Sequence, residues 1–180
     1  MTQNFLVYLA SLLCLTLGIA CSAAQQDKAS RPSPPAQATC QLTSGATITI
    51  DYSSPRAKGR KIFGGIVPFG KIWRAGANEA TSFVTTADLS VGGTTVPAGT
   101  YTIFAIPEQN QWTLVISKKT GEWGLAYAGA GEDLARIGMK VSQLPSSVEN
   151  FTIAFDHGSS SCTLDMDWET TRASVDISKK

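Results

Sequence analysis

Apolar and polar residues alternate with a period of two in several short segments of this chain. In residues 46–52, Ile48, Ile50 and Tyr52 alternate with threonines and an aspartate. Because successive side chains of a strand point to opposite faces, this pattern predicts a strand with one buried face. Similar runs bounded by Gly, Pro or Asn predict strands at residues 82–86, 99–107, 112–117, 148–155, 162–168 and 173–177.

Short connections between these runs predict antiparallel pairing. The Gly92-Gly93 pair is typical of a hairpin turn, and residues 108–111 join two apolar runs as a second hairpin would. Residues 173–177 repeat the apolar face of residues 162–168, which we interpret as the return strand of a last hairpin. We therefore expect an all-β fold, an antiparallel β-sandwich of Greek-key or jelly-roll type, with at most one short helix, near residues 131–136.

The first residues predict export from the cytoplasm. Residues 5–20 are almost wholly apolar and uncharged, as in the central region of a signal peptide, so we assign residues 1–20 to a signal peptide. A small residue followed by Cys21 resembles a lipobox, whose cysteine receives a diacylglycerol and anchors the protein to a membrane. Cleavage after Ala24 is the alternative and would yield a soluble secreted protein. We expect a location in the cell envelope, periplasmic or at the surface.

The segment after the signal peptide differs in composition from the rest of the chain. Residues 21–38 are small, polar and proline-bearing without apolar periodicity, which predicts a flexible tether. Residues 39–180 then form a single domain, a size that can bury its own core.

Two of the four cysteines lie within the predicted domain. In an oxidising envelope, Cys40 and Cys162 are expected to form a disulfide between the first and the penultimate predicted strands. The alternative is a pair of buried thiols. No C-x-x-C motif is present, so the cysteines do not indicate a zinc or redox site.

Charge and motifs exclude several classes of function. The 15 basic and 14 acidic residues give a net charge of +1, which provides no basic face for nucleic acid. Residues 65–71 fit a phosphate-loop pattern, but Ile72 replaces the hydroxyl that would bind Mg²⁺. Asp165, Asp167 and Glu169 lie on one predicted strand face, which we interpret as solvated, with Arg172 nearby. His157, the single histidine, is expected in an exposed turn, so we predict no cofactor and no metal.

The densest group of candidate functional residues lies between residues 53 and 81. Arg60, Trp73, Arg74, Asn78 and Glu79 occur there among five glycines. Guanidinium groups beside aromatic rings suit the recognition of an anionic or sugar-like group, and Glu79 could supply hydrogen bonds or act as a general base. A purely structural role, in which these residues fix a glycine-rich loop to the sheet, is the alternative.

These residues also carry a resemblance to a known family. Residues 59–64, 67–70 and 73–78, continuing to Thr81, together with Trp112, Trp123 and Trp168, resemble the DUF2911 family of uncharacterised bacterial envelope proteins. The resemblance covers essentially the whole predicted domain and implies that Arg60, Trp73, Arg74, Asn78 and Thr81 form the family's hallmark. The family more often has Arg at the position of Ser54 and Thr at that of Ala75. The resemblance implies no reaction.

We expect a non-catalytic binding module for a small polar ligand or an envelope glycan, with a site formed by Arg60, Trp73, Arg74, Asn78, Glu79 and Thr81. An envelope hydrolase with Glu79 or Asp88 as the acid or base is the alternative, and it requires a second carboxylate about 5–10 Å from Glu79 in a cleft. An interaction protein of the envelope is a third possibility, favoured by a contiguous exposed apolar patch.

Overall fold

The fold, in a computed structural model, is built from nine β-strands. The structure describes residues 28–43, 45–124, 126–158 and 160–180, so the predicted signal peptide and Cys21 lie outside the described residues. A 3₁₀ helix, Ala130–Glu132, precedes the eighth strand. The strands are β1 Pro35–Gln41, β2 Thr47–Ser53, β3 Thr81–Thr85, β4 Leu89–Val91, β5 Thr94–Val96, β6 Gly99–Ile106, β7 Gln111–Ser117, β8 Asp133–His157 and β9 Ser161–Lys179.

The strands form one antiparallel sheet in the order β1-β2-β3-β6-β7-β8-β9-β4-β5. The predicted all-β class is therefore confirmed. The predicted sandwich is not confirmed, because all nine strands belong to one hydrogen-bonded sheet. Among the described residues, no helix is long and apolar enough to cross a membrane.

Strands β1 and β2, at one end of the strand order, lie across the core from β8 and β9. Cys40 of β1 and Cys162 of β9 lie at disulfide distance, with their Cα atoms 6.6 Å apart, as the sequence predicts. The Tyr52 hydroxyl on β2 accepts a hydrogen bond of 3.0 Å from the backbone N–H of Ile153 on β8. The sheet thus folds over itself, and the apolar faces of its first and last strands enclose one core.

The last predicted hairpin is wrong, because residues 162–168 and 173–177 lie in the single strand β9. Cys162 and Trp168 point into the core, and so does Ala173, although a regular strand would turn residues 168 and 173 to opposite faces. Glu169, with φ of 51°, interrupts the alternation between them. The pairing of β9 with β8 shifts register here, as at a β-bulge. The bulge explains why the sequence pattern predicts two strands where the structure has one.

Two further expectations differ from the structure. The tether prediction extended to residue 38, but β1 begins at Pro35, and the backbone carbonyl of Pro34 accepts a hydrogen bond from Ser54. The start of β1 has little apolar character of its own and is a strand because it pairs with β2 at the edge of the sheet. The helical character expected near residues 131–136 is limited to Ala130–Glu132, because Asp133 already begins β8.

The predicted solvated acidic face of β9 is also wrong. The side chains of Asp165 and Asp167 are buried, and Arg172 pairs with both, at 3.0 Å and 2.7 Å. The guanidinium also contacts Asp156 at 3.8 Å. Buried carboxylates are tolerated when they are paired and hydrogen-bonded, which Arg172 and Ser174 achieve here. The sequence correctly placed Arg172 near these acids.

Candidate functional site

The predicted functional stretch is the long connection between β2 and β3, residues 54–80, which we call the motif loop. Isolated bridges fix it to the sheet, joining Arg56 to Asn150 on β8 and Trp73 to Ala105 on β6. Backbone hydrogen bonds of 2.8 Å run in both directions between Trp73 and Ala105. These bonds fix the backbone of the loop to the sheet at two points.

Trp73 lies at the centre of an aromatic cluster that anchors the motif loop. Its ring is stacked on Trp168 of β9, with centroids 5.9 Å apart and planes 20° from parallel. It also meets three other rings edge-on, those of Phe63, Trp112 and Phe151, at 4.9 to 6.3 Å. Edge-on and offset pairs are the favoured arrangements of aromatic rings. Trp73 is 8% exposed, so much of its role is to hold the loop on the core.

A cavity of about 290 Å³ opens above this cluster. Among the described residues, Trp168 alone lines it from outside the motif loop. Three cationic side chains, those of Arg60, Lys71 and Arg74, contribute to its lining. The other lining residues carry no charge and no polar side-chain atom, except for the indole of Trp73. We call this cavity the motif pocket. It brings together Arg60, Trp73 and Arg74 of the predicted site.

The Arg74 guanidinium has few partners in the protein. Its Nη1 donates a hydrogen bond of 3.1 Å to the backbone carbonyl of Asn78. Its Nε is buried and has no hydrogen-bond partner among the described residues. Burial lowers the pKa of Arg74, because it disfavours the charged form. No carboxylate of the described residues pairs with this guanidinium. A partly buried cation without an anionic partner is the most unusual feature of the pocket.

The other two cations are more exposed. Arg60 donates hydrogen bonds to the carbonyls of Ala57, at 3.0 Å, and of Arg56, at 2.8 Å, which hold its guanidinium at the mouth of the pocket. Lys71 is exposed and was missed by the sequence analysis. Neither forms an ion pair with a described carboxylate. Trp168 was also missed as a pocket residue, because only the folded chain places it beneath the loop.

Glu79 lies on a different side of the motif loop and lines a second cavity of about 210 Å³. Its carboxylate pairs with Arg31 at 2.9 Å and with Lys28 at 3.4 Å. Burial raises the pKa of Glu79. The hydrogen bond from its own backbone N–H and the two cations lower the pKa by more than burial raises it, so the net pKa is below its ordinary value. Asp51 lines the same cavity and accepts a hydrogen bond of 2.7 Å from Gln37.

Asn78 and Thr81 have structural contacts and do not line the motif pocket. The Asn78 amide donates a hydrogen bond of 2.9 Å to the backbone carbonyl of Ser33, which ties the start of the domain to the loop. Its φ of 56° lies in the left-handed region, which asparagine tolerates better than most residues. Thr81 is fully buried, and its hydroxyl donates to the carbonyl of Ala75 at 2.9 Å.

Gly76 explains how the loop approaches the sheet so closely. A Cβ on Gly76 would lie 3.0 Å from both the backbone oxygen of Ser53 and the hydroxyl oxygen of Thr81. Only glycine therefore allows this contact without displacement of backbone. Part of the glycine content that suggested a binding loop is required for packing.

The remaining candidates have local roles. Asp88 is exposed, and its Oδ1 accepts a hydrogen bond of 2.8 Å from the backbone N–H of Ala98. His157 is exposed, as predicted, but it is the last residue of β8 and does not lie in a turn. Its Nδ1 lies 3.8 Å from the sulfur of Cys162. The ligand atoms of Cys40, His157 and Cys162 lie within 4.8 Å of one another. While the two sulfurs are bonded to each other, they are not thiolates and cannot bind a metal.

Large exposed apolar side chains occur at three described positions, Ile66, Phe69 and Trp123. Ile66 lines the motif pocket, whereas Trp123, 61% exposed, lies outside it and forms a bridge with Glu79. Ile66 therefore contributes an exposed apolar side chain to the motif pocket, whereas Phe69 and Trp123 do not line it.

Residues 33–177 match the family model described as "Protein of unknown function (DUF2911)". The match includes β1, the motif loop and nearly all of β9. No curated protein and no solved structure matches the chain.

Proposed function

The chain belongs to the DUF2911 family, whose description names no activity, and we propose that it is a non-catalytic binding module of the cell envelope. The observation that carries the proposal is the motif pocket, where unpaired cations surround an aromatic floor. A polar group of a ligand would give Arg74 the partner that the protein does not provide. Convergent polar groups in an otherwise apolar cavity are typical of small-molecule sites.

The pocket favours binding over catalysis because its lining contains no carboxylate, histidine, cysteine or hydroxyl side chain. Arginine stays protonated and is a poor proton donor or acceptor at neutral pH. The pocket can therefore hold and orient a ligand. Lys71 is the one potential nucleophile among its described lining side chains, and a lysine amine acts as a nucleophile only after it loses its proton. The absence of the other groups concerns the residues that line the cavity in the described part of the chain.

An envelope hydrolase is the second candidate, and one observation favours it: Asp51 and Glu79 line the same cavity. Paired carboxylates in a cleft are the machinery of most glycosidases. The general acid of such a pair needs a raised pKa, whereas the ion pairs with Arg31 and Lys28 contribute to a lowered pKa of Glu79. Hydrolysis of aryl glycosides that is abolished by both Glu79→Gln and Asp51→Asn would favour this candidate over ours.

The envelope location and the lipid anchor at Cys21 are part of the proposal and are supported by the sequence of residues 1–27. The approach of Cys40 and Cys162 to disulfide distance adds support, because disulfides persist in oxidising compartments outside the cytoplasm. A lipid at Cys21 would place the binding module close to a membrane surface, joined to it by the residues before β1.

Tryptophan indole signals can test the proposed binding. The protein, expressed from the full chain and purified as the cell processes it, is labelled with ¹⁵N-tryptophan and mixed with a small-molecule extract of its host's envelope. A ligand in the motif pocket should shift the indole signals of Trp73 and Trp168 and leave that of Trp123 unchanged. Arg74→Gln should abolish the shifts, whereas Lys61→Gln, an exposed change in the same loop, should preserve them.

The proposal fails if no extract shifts the two pocket indoles, or if Arg74→Gln and Lys61→Gln respond alike. Melting temperatures of both variants distinguish loss of binding from loss of folding. If Arg74→Gln unfolds, Lys71→Gln replaces it, because Lys71 is exposed and its change should leave the fold intact.

A further inference from the structure

We propose that the motif pocket selects a small organic anion, a carboxylate or phosphate on a flat apolar body, over a neutral sugar. This inference rests on the proposed function and specifies the ligand class of the same site. Three independent properties of the pocket carry it: its charge, its hydrogen-bonding character and its size.

The charge of the pocket has one sign. Arg60, Lys71 and Arg74 line it, and no acidic residue in the described part of the chain does. Some cations elsewhere in the described protein are neutralised, as Arg172 is by three aspartates and Arg31 is by Glu79. Clefts lined by one sign of charge with apolar walls concentrate ligands of the opposite sign. The three unpaired cations therefore favour an anion.

The side chains of the pocket can donate hydrogen bonds but cannot accept them. Arginine, lysine and tryptophan have N–H donors and no acceptor, and the other lining side chains are apolar. The indole N–H of Trp168 is already used, because it donates to the backbone carbonyl of Glu149 at 3.1 Å. A carboxylate or phosphate only accepts hydrogen bonds and matches this set. Sugar hydroxyls also donate, and the lining side chains offer them no acceptor.

Among the side chains of the pocket, Arg74 contributes most to the predicted preference for an anion. Its guanidinium has five N–H donors, and one hydrogen bond, to Asn78, is made within the described protein. Its partial burial disfavours the positive charge, and an anion in the pocket would restore favourable electrostatics. A planar guanidinium can hold a carboxylate through two parallel hydrogen bonds, which a neutral ligand cannot reproduce with the same strength.

The size and walls of the pocket limit the ligand to a small molecule with an apolar part. Its volume of about 290 Å³ lies just below the range for ligand pockets, about 300–1000 Å³. Ile66, Val67 and Pro68 form one wall, and Trp73 and Trp168 form the floor. A single ring bearing an anionic group satisfies both the apolar walls and the cations, whereas an extended glycan chain would not fit.

Four probes of similar size test the inference on the full-chain protein: benzoate, phenyl phosphate, benzamide and methyl β-glucoside. Titrations are followed by the indole signals of Trp73 and Trp168. Benzoate or phenyl phosphate should bind at least about tenfold more tightly than benzamide, because a hydrogen bond to a charged group exceeds a neutral one by about that factor. The two anions compared with each other show whether a carboxylate or a phosphate is preferred.

Variants connect the preference to the cations. Lys71→Gln and Arg74→Gln should each weaken benzoate binding by about threefold to tenfold, and Lys61→Gln should leave it unchanged. Added salt should weaken the binding of benzoate more than that of benzamide.

Two outcomes would overturn the inference. If benzamide or the glucoside binds at least as tightly as the anions, as judged by the two pocket indoles, the pocket binds ligands but does not select anions. The proposed function then stands. If none of the four probes shifts these signals, the ligand class is wrong, and the envelope-extract experiment then decides the proposed function separately.

Discussion

At the scale of single residues, the motif that the sequence singles out divides into two groups. Arg60 and Arg74 face the motif pocket, whereas Asn78 and Thr81 hold the loop in place through their hydrogen bonds to Ser33 and Ala75. Trp73 belongs to both groups because its ring is part of the core cluster and of the pocket floor. A dense motif therefore contains both residues that line the pocket and residues that hold the loop in place.

The structural group can be tested at Thr81. Thr81→Val keeps the shape of the side chain but removes the hydrogen bond to the Ala75 carbonyl in a fully buried site. An unsatisfied buried carbonyl costs about 1–3 kcal/mol, so the free energy of unfolding in urea should fall by that amount. Thr100→Val, at the exposed start of β6, is the control and should change this free energy by less than about 0.5 kcal/mol. Equal effects would show that the hydroxyl of Thr81 has no special structural role.

At the scale of elements, the turn between β4 and β5 shows how two glycines in one turn differ. Gly92 and Gly93 both have positive φ, 52° and 83°, as the predicted hairpin turn requires. A Cβ on Gly92 would lie 2.7 Å from Cγ2 of Ile137, whereas a Cβ on Gly93 would meet no atom within 4 Å. The first glycine is therefore required by both the turn and the packing against β8.

This difference predicts unequal effects of alanine. Gly93→Ala should lower the free energy of unfolding by about 1–2 kcal/mol, the cost of a left-handed backbone for a residue with a Cβ. Gly92→Ala should lower it further, by about another 1–3 kcal/mol, because it also crowds the core. Denaturant unfolding of the two variants measures the difference. A larger effect at Gly93 would contradict the packing of this turn.

The acid cluster on β9 predicts a pH dependence. Burial raises the pKa of Asp165, and Asp156 and Asp167 add to the rise, while Ser174 and Arg172 lower it, with a net increase. The folded state therefore binds this proton more tightly than the unfolded chain does. The contribution of Asp165 to stability is fully present below its unfolded pKa and is lost as the pH rises through its folded pKa.

Asp165→Asn removes this titration and tests it. The free energy of unfolding of the wild type minus that of the variant should decrease as the pH is raised from about 3 to about 7. Urea unfolding at several pH values measures this difference, and Glu108→Gln, in the turn after β6, shows how an exposed acid behaves in the same measurement. An increase over this range would show that the ion pairs with Arg172 outweigh the burial.

At the scale of the whole molecule, the pair of Cys40 and Cys162 joins strands that are far apart both in sequence and in strand order. The cysteines are separated by 122 residues and link β1 to β9 across the core. Closing a loop of this length in the unfolded chain is costly in entropy, so the bond should contribute strongly to stability.

The variant Cys40→Ala/Cys162→Ala should lower the free energy of unfolding by about 2–5 kcal/mol. Peptide mapping without reductant should first show the linked peptides in protein purified from the native host. Free thiols at both positions in that protein would contradict the disulfide and weaken the case for an oxidising compartment.

The proposed anchor predicts a change of location for the whole molecule. Cys21→Ser should abolish labelling by an alkyne fatty acid and move the protein from the membrane fraction to the soluble fraction, because the acyl chains supply most of its affinity for a membrane. Ser22→Ala, the adjacent position, is the control and should leave both unchanged. Membrane retention of the Cys21→Ser protein would contradict a lipid anchor at this residue.

The sequence alone was sufficient for the all-β class and for most strands, because a period of two records which side chains a sheet buries. It was also sufficient for the approach of Cys40 and Cys162 to disulfide distance. The sequence-based predictions were wrong where the alternation of apolar and polar residues does not match the pattern of buried side chains. Asp165 and Asp167 are buried with a partner, and the bulge at Glu169 divides one strand into two apparent ones.

Only the tertiary structure decided which motif residues face a common cavity. Arg60 and Arg74 converge with Lys71 above Trp168, while Glu79, five residues after Arg74, turns to Arg31 on another side. Linear order cannot encode this division, because it depends on the left-handed turns of the loop and on a tryptophan from a strand nearly a hundred residues away. Local pattern fixes the strands, and long-range packing fixes the site.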